Sequence, residues 1–154
     1  MTTRASFRRW LFGAGLLAAG SLAAAACGPA DPPTDQRGWT DDFEIRIHAD
    51  VVPPRAEEAT QYTITVKDKK TRQPVVNGQG RIFATNSDRH TIWDGFVYGP
   101  EVGTYHATLT FLTAGEWAMG VQFRADSTLP LQRTLDWRQL IRAGLEPGEK
   151  EVKP

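Results

Sequence analysis

Three histidines, His48, His90 and His106, and one internal methionine, Met119, carry the imidazole and thioether groups that an extracytoplasmic copper site uses. Their spacing does not gather them. His48 and His106 occupy polar positions of alternating segments, whereas Met119 alternates in phase with Trp117 and Val121 on an apolar face. A site built from His106 and Met119 would need both side chains to point the same way, and strand alternation opposes that. Nor do the four cluster along the chain. They stand as a candidate metal set for a copper ion, against the ordinary account of exposed imidazoles and a methionine filling a core gap.

Groups for bond-making chemistry are sparser. Ser87 and Ser127 lack the strand–turn–helix context of a nucleophile elbow. Asp41-Asp42 and Glu57-Glu58 are adjacent pairs at strand ends, where consecutive side chains diverge, so a shared acid–base role is not expected. No glycine-rich loop precedes a helix to cradle a phosphate. The expectation is a protein that is not an enzyme and needs no cofactor. Asn86-Ser87-Asp88-Arg89-His90 reads as a polar hairpin connection, with a binding loop as the rival. Trp93-Asp94-Gly95-Phe96 breaks the period of its segment and suggests a bulge.

The remaining reactive group is the single cysteine, Cys27, and its position explains it. Residues 1–10 are basic, with Arg4, Arg8 and Arg9, and an apolar run of about 16 residues follows from Leu11 to Ala26. That is a signal segment, short of the roughly 20 residues a spanning helix needs. Phe7 stands before Arg8-Arg9 where a twin-arginine signal has Ser or Thr, so the general secretion route is expected. The run ends Ala24-Ala25-Ala26-Cys27, which resembles a bacterial lipobox, with Leu22 slightly upstream of the usual bulky position. The resemblance implies cleavage after residue 26 and lipidation (palmitate among the chains) of Cys27. At least two acyl chains would then anchor the protein to the outer face of a cell membrane without spanning it. Gly28 to Asp35 is Pro-rich and polar, and residues 27–40 are expected to be a tether.

Excluding the three signal-segment arginines leaves 15 basic against 18 acidic residues, which argues against a nucleic-acid partner. Residues 41–137 read as one domain. Phe43, Ile45 and Ile47 alternate with Glu44, Arg46 and His48, and Tyr62, Ile64 and Val66 alternate with Thr63, Thr65 and Lys67. Tyr105, Ala107, Leu109 and Phe111, and then Trp117, Met119, Val121 and Phe123, repeat the pattern. Gly80–Thr85, Thr91–Val97 and Leu131–Trp137 are further strand candidates. About seven short strands between turn signals predict an all-β fold, an antiparallel immunoglobulin-like sandwich. Residues 138–154 are expected to hold a short helical turn and a polar tail.

Gly103-Thr104-Tyr105 resembles the tyrosine corner of immunoglobulin-like domains, whose phenol bonds to backbone upstream. More broadly, Gly103-Thr-Tyr105-His-Ala107-Thr-Leu109-Thr-Phe111, followed by Gly115-Glu-Trp117-Ala-Met-Gly-Val121, is similar to YtkA-like and FixH-like domains. Tyr62-Thr-Ile64-Thr-Val66 and Gln73-Pro74-Val75 extend the likeness, which covers about Ala59 to Phe123. It implies a small extracytoplasmic sandwich with no catalytic residue, and some members are associated with copper handling or oxidase assembly. The expected function is an envelope binding or accessory module with a protein partner, and copper handling is the alternative.

Overall fold

The computed structural model describes residues 34–145; the signal segment, Cys27 and the far end of the polar tail lie outside them. Alternation becomes ten strands: β1 (Asp35–Trp39), β2 (Phe43–Ala49), β3 (Ala59–Asp68), β4 (Gln79–Asn86), β5 (Thr91–Gly95), β6 (Val97–Tyr98), β7 (Thr104–Thr110), β8 (Gly115–Arg124), β9 (Gln132–Arg133) and β10 (Trp137–Ile141). The first sheet runs β1-β2-β3-β7-β6 and the second β10-β8-β4-β5, with β9 also pairing β8; all these pairings are antiparallel. No helix of membrane-spanning length and hydropathy occurs among the described residues.

The apolar positions of β2, β3, β7 and β8 meet between the sheets as predicted. Ile45, Ile64, Val66, Ile82, Tyr105, Phe111, Trp117, Met119, Val121 and Phe123 are fully buried. Phe111 and Trp117 meet edge to face at 5.4 Å, and the Trp117 indole N–H donates to the Thr113 carbonyl at 3.0 Å. Burial of this apolar area stabilises the domain without a disulfide. The order, with the third and seventh strands central in one sheet and the fourth and eighth in the other, is that of an immunoglobulin-like sandwich.

Four local expectations need correction. The residues read as a C-terminal helical turn form β10, in register from Trp137 opposite Met119 to Ile141 opposite Gly115. The free flank of β8 supplies a ladder partner, and Trp137, Gln139 and Ile141 turn inward while Arg138 and Leu140 are exposed. So short a window does not distinguish the two periods. Second, the tether expected through residue 40 already contains β1, which pairs with β2 from Asp35–His48 to Trp39–Glu44. The sandwich therefore begins before residue 41 and continues past 137.

Third, Thr91–Val97 is not one strand. The register between β4 and β5 is unbroken from Thr85–Thr91 to Arg81–Gly95, and the Phe96 N–H still reaches the Gly80 carbonyl at 2.9 Å. The chain then changes sheet at Val97, so the broken period marks a crossing and not a bulge. A Cβ on Gly80 would lie 2.6 Å from the Phe96 ring, and the bare backbone there lets Phe96 pack against Tyr105 and Phe123.

Fourth, Tyr105 does bond upstream, but far from the turn before it. Its phenol donates to the Val75 carbonyl (2.8 Å) and accepts from the Gly78 N–H (3.0 Å), in the connection that carries the chain from β3 to β4. Gly103, at φ 76°, takes the left-handed turn that starts β7, where a Cβ would lie 2.5 Å from Pro74.

Candidate functional site

The candidate ligands do not converge. His48 lies on β2, exposed, with its Nδ1 3.0 Å from the Asp35 carboxylate on β1. His106 lies on β7, exposed, with its Nδ1 3.3 Å from the Thr63 hydroxyl. The register places His48 opposite Thr63 and Thr63 opposite His106, so the two imidazoles share one row on the outer face of the first sheet. Two strand spacings, roughly 10 Å, separate their backbones. His90 sits in the β4–β5 hairpin of the other sheet, its N–H held by the Asn86 side-chain oxygen at 2.9 Å. Met119 is fully buried between the sheets. Among the described residues no three His, Cys, Asp or Glu side chains stand close enough to hold one metal ion. Cys27 lies outside the described residues.

Asn86 also uses its own backbone to close the hairpin, accepting from the Arg89 N–H and donating to the His90 carbonyl, both at 3.1 Å. The polar run there builds a turn. Asp42, one of the adjacent acids, accepts from the Gln132 side-chain amide and ties the β1–β2 turn to β9.

The outer face of the second sheet holds a cluster that the sequence reading passed over. Trp93 on β5 is 62% exposed although it lies within a strand. Phe83 is its partner on β4, and Gly120 on β8 lies opposite Phe83. A Cβ on Gly120 would stand 2.4 Å from the Phe83 ring, so the ring lies down across the bare glycine. The Arg133 guanidinium covers that ring at 4.7 Å from its centroid, and the Arg81 guanidinium stands 5.7 Å from the Trp93 ring. Together they border a shallow depression of about 270 Å³ that Thr85, Thr91 and Gln122 complete. Leu131 and Arg124 flank Trp93 on the side of Gly95.

The arginines differ in how they are held. Arg133 bonds both oxygens of Asp136 at 2.9 Å, and Arg138 pairs with Glu116. Arg81 is oriented by the neutral Gln122 amide, its Nε donating at 2.7 Å. Arg124 is held likewise by Gln79, at 3.1 and 2.8 Å. Arg81 is thus fixed by a neutral amide with no carboxylate partner among the described residues, whereas Arg124 also acts on the Asp126 carboxylate and Arg133 and Arg138 are paired with acids. A neighbouring groove of about 580 Å³, beside Trp137, is larger, but its charged lining includes the Arg138–Glu116 pair. Fixed cations beside exposed aromatic rings are the composition of recognition surfaces. The clue in the sequence was Trp93 at an outward position opposite Phe83, which becomes readable only once the register is known.

Fold and surface together define a class: an all-β immunoglobulin-like sandwich presenting an aromatic and arginine-bearing sheet face. No family model matches the chain, and no curated protein matches it. Among solved structures, a DUF4785 family protein from Legionella pneumophila subsp. pneumophila str. Philadelphia 1 is similar, with 10% identity and a TM-score of 0.45. The alignment covers 66% of this chain and 28% of that one, so the chain spans little more than a quarter of that protein's length.

Proposed function

We propose that this chain is an exported lipoprotein, anchored through Cys27 at the outer face of a cell membrane, whose sandwich recognises an envelope protein. The basic segment, apolar run and Ala24-Ala25-Ala26-Cys27 support export and anchoring. The resemblance to YtkA-like and FixH-like domains supports the same compartment. The observation that carries recognition is the exposed Trp93 beside a fixed, carboxylate-free Arg81. The indole, 62% exposed within a strand, keeps most of its apolar area available, and a partner covering it would add apolar burial beside a cation–π contact already in place.

The test has two parts. Labelled palmitate should enter the full chain and be lost in Cys27→Ser. A photo-crosslinking residue at Thr91, on the same strand and face as Trp93, should capture a defined envelope protein, while one at Arg46 on the opposite outer face should not. Equal capture from both faces, or none from position 91, would refute the recognition reading.

A further inference from the structure

Arg81 and Trp93 form a wall between two hollows on the outer face of the second sheet. With Ile82 and Ala84 buried, alternation turns Arg81 and Phe83 of β4 outward, and the register sets Phe83 opposite Trp93 and Arg81 opposite Gly95. The depression over Phe83 and Gln122 holds about 270 Å³, and a second of about 270 Å³ opens over Gly95 beside Leu131. Arg81 and Trp93 line both. Gly95 has open space where a Cβ would be, so its own strand does not fill the second hollow. Leu131 is 43% exposed at its margin.

The charges of this face leave one cation over. Arg133 pairs with Asp136, Arg138 with Glu116, and Arg124 acts on Asp126, whereas Arg81 has only the neutral Gln122 amide. That bond, at 2.7 Å, uses Nε, and no hydrogen bond engages the two terminal nitrogens of Arg81 among the described residues. A fork held this way is preset to donate end-on to both oxygens of one carboxylate. A saccharide on the indole would call on neutral polar groups around its ring. The Thr85 and Thr91 hydroxyls are instead spent on each other at 2.9 Å, and the Gln122 oxygen on Arg81. A phosphate dianion would ask for a second free cation. A second copy meeting this face with its own would bring Arg81 only acids that are already paired.

We infer that the partner protein crosses this wall with a segment that sets one carboxylate on Arg81 and one apolar side chain in the hollow on either side. This rests on the recognition reading and names the chemistry of its partner: a single Glu or Asp flanked by apolar residues. The flanking groups supply affinity by covering Trp93 and Leu131, and the guanidinium supplies selectivity for the acid.

The experiment selects a displayed random dodecapeptide library against the full chain in detergent. Enriched peptides should carry one Glu or Asp with an apolar residue on each side. Arg81→Gln should weaken such a peptide about tenfold and leave its Glu→Gln counterpart unchanged. Arg81→Glu should bind the Glu→Lys counterpart in its place. Gly95→Leu grows into open space and fills the second hollow, so it should cut binding severalfold while the dependence on Arg81 persists. Each variant should keep the circular dichroism of the parent chain. No enrichment, enriched peptides without an acid, equal losses for the Glu and Gln peptides, or full binding by Gly95→Leu would overturn the inference. Neutral oligosaccharides that shift the Trp93 indole resonance where peptides do not would assign the face to sugars and overturn it too. If Thr91 still crosslinks an envelope protein while the charge dependence fails, recognition stands and the acidic partner falls.

Discussion

The carboxylate of Asp94, on the edge strand of one sheet, accepts the backbone N–H of Thr108, on β7 of the other, at 2.7 Å. β6 is only two residues long and covers β7 at Tyr105 and His106, leaving the Thr108 N–H without a strand partner on that flank. Asp94 fills the vacancy and stitches the sheets where the chain is about to cross. Asp94→Ala should lower stability by about 1–2 kcal/mol, the scale of a charge-assisted bond partly exposed to water. Asp94→Asn, which keeps an acceptor oxygen, should lose less. Urea midpoints at unchanged slope would show this, and equal losses from both variants would argue against the bond.

Two buried phenols should behave oppositely on truncation. Tyr105 makes two hydrogen bonds to the β3–β4 connection, so Tyr105→Phe should cost about 1–3 kcal/mol and loosen residues 75–78 in hydrogen exchange. The Tyr62 hydroxyl is buried with no hydrogen-bond partner among the described residues. Tyr62→Phe should therefore be neutral or stabilising, by up to about 1 kcal/mol. A clear loss in Tyr62→Phe would show a partner for that hydroxyl.

The same phenols set an alkaline limit. Burial pushes both above the ordinary tyrosine value, helped by the Asp50 charge at Tyr62; the Gly78 N–H at Tyr105 partly offsets the rise there. A raised phenol resists ionisation in the fold but not in the unfolded chain. Its stabilising contribution is complete below the unfolded value of about 10 and declines as pH rises beyond it. Stability measured from pH 8 to 12 should fall above about 10. Tyr62→Phe should flatten part of that fall; an unchanged profile would exclude Tyr62 as a source.

Gly120 governs the recognition platform. In Gly120→Ala the new methyl collides with the Phe83 ring, which must swing away from the sheet and out from under Arg133. Crosslinking from position 91 should drop severalfold, while the core beneath, including Val121, stays native by near-ultraviolet circular dichroism. Undiminished crosslinking would mean that Phe83 does not contribute to the surface.

Metal titration addresses the histidines directly. Because His48, His90, His106 and Met119 are dispersed over both sheets and the core, native mass spectrometry of the chain with Cu(I), Cu(II) and Zn(II) should retain no stoichiometric ion that depends on them. One retained ion lost in His106→Ala would restore the copper reading and require rearrangement around β7.

The alternation of Ile45, Ile64, Leu109 and Val121 with polar neighbours determined the all-β class and most of the core, because a half-buried strand exposes one face to water and its period is local. The same local rule set Met119 and His106 on different faces. Pairing was not local. Trp137–Ile141 became a strand because β8 had a free flank, and Asp35–Trp39 because β2 did. Trp93 and Phe83 are ten residues apart and share a platform only through the β4–β5 register, beside a glycine that β8 contributes. Which cations on that face were paired, and which strands stood at the sheet ends, followed from contacts between segments distant in the chain. The sequence alone determined the periods of its strands; hydrogen bonding between those strands decided the neighbours.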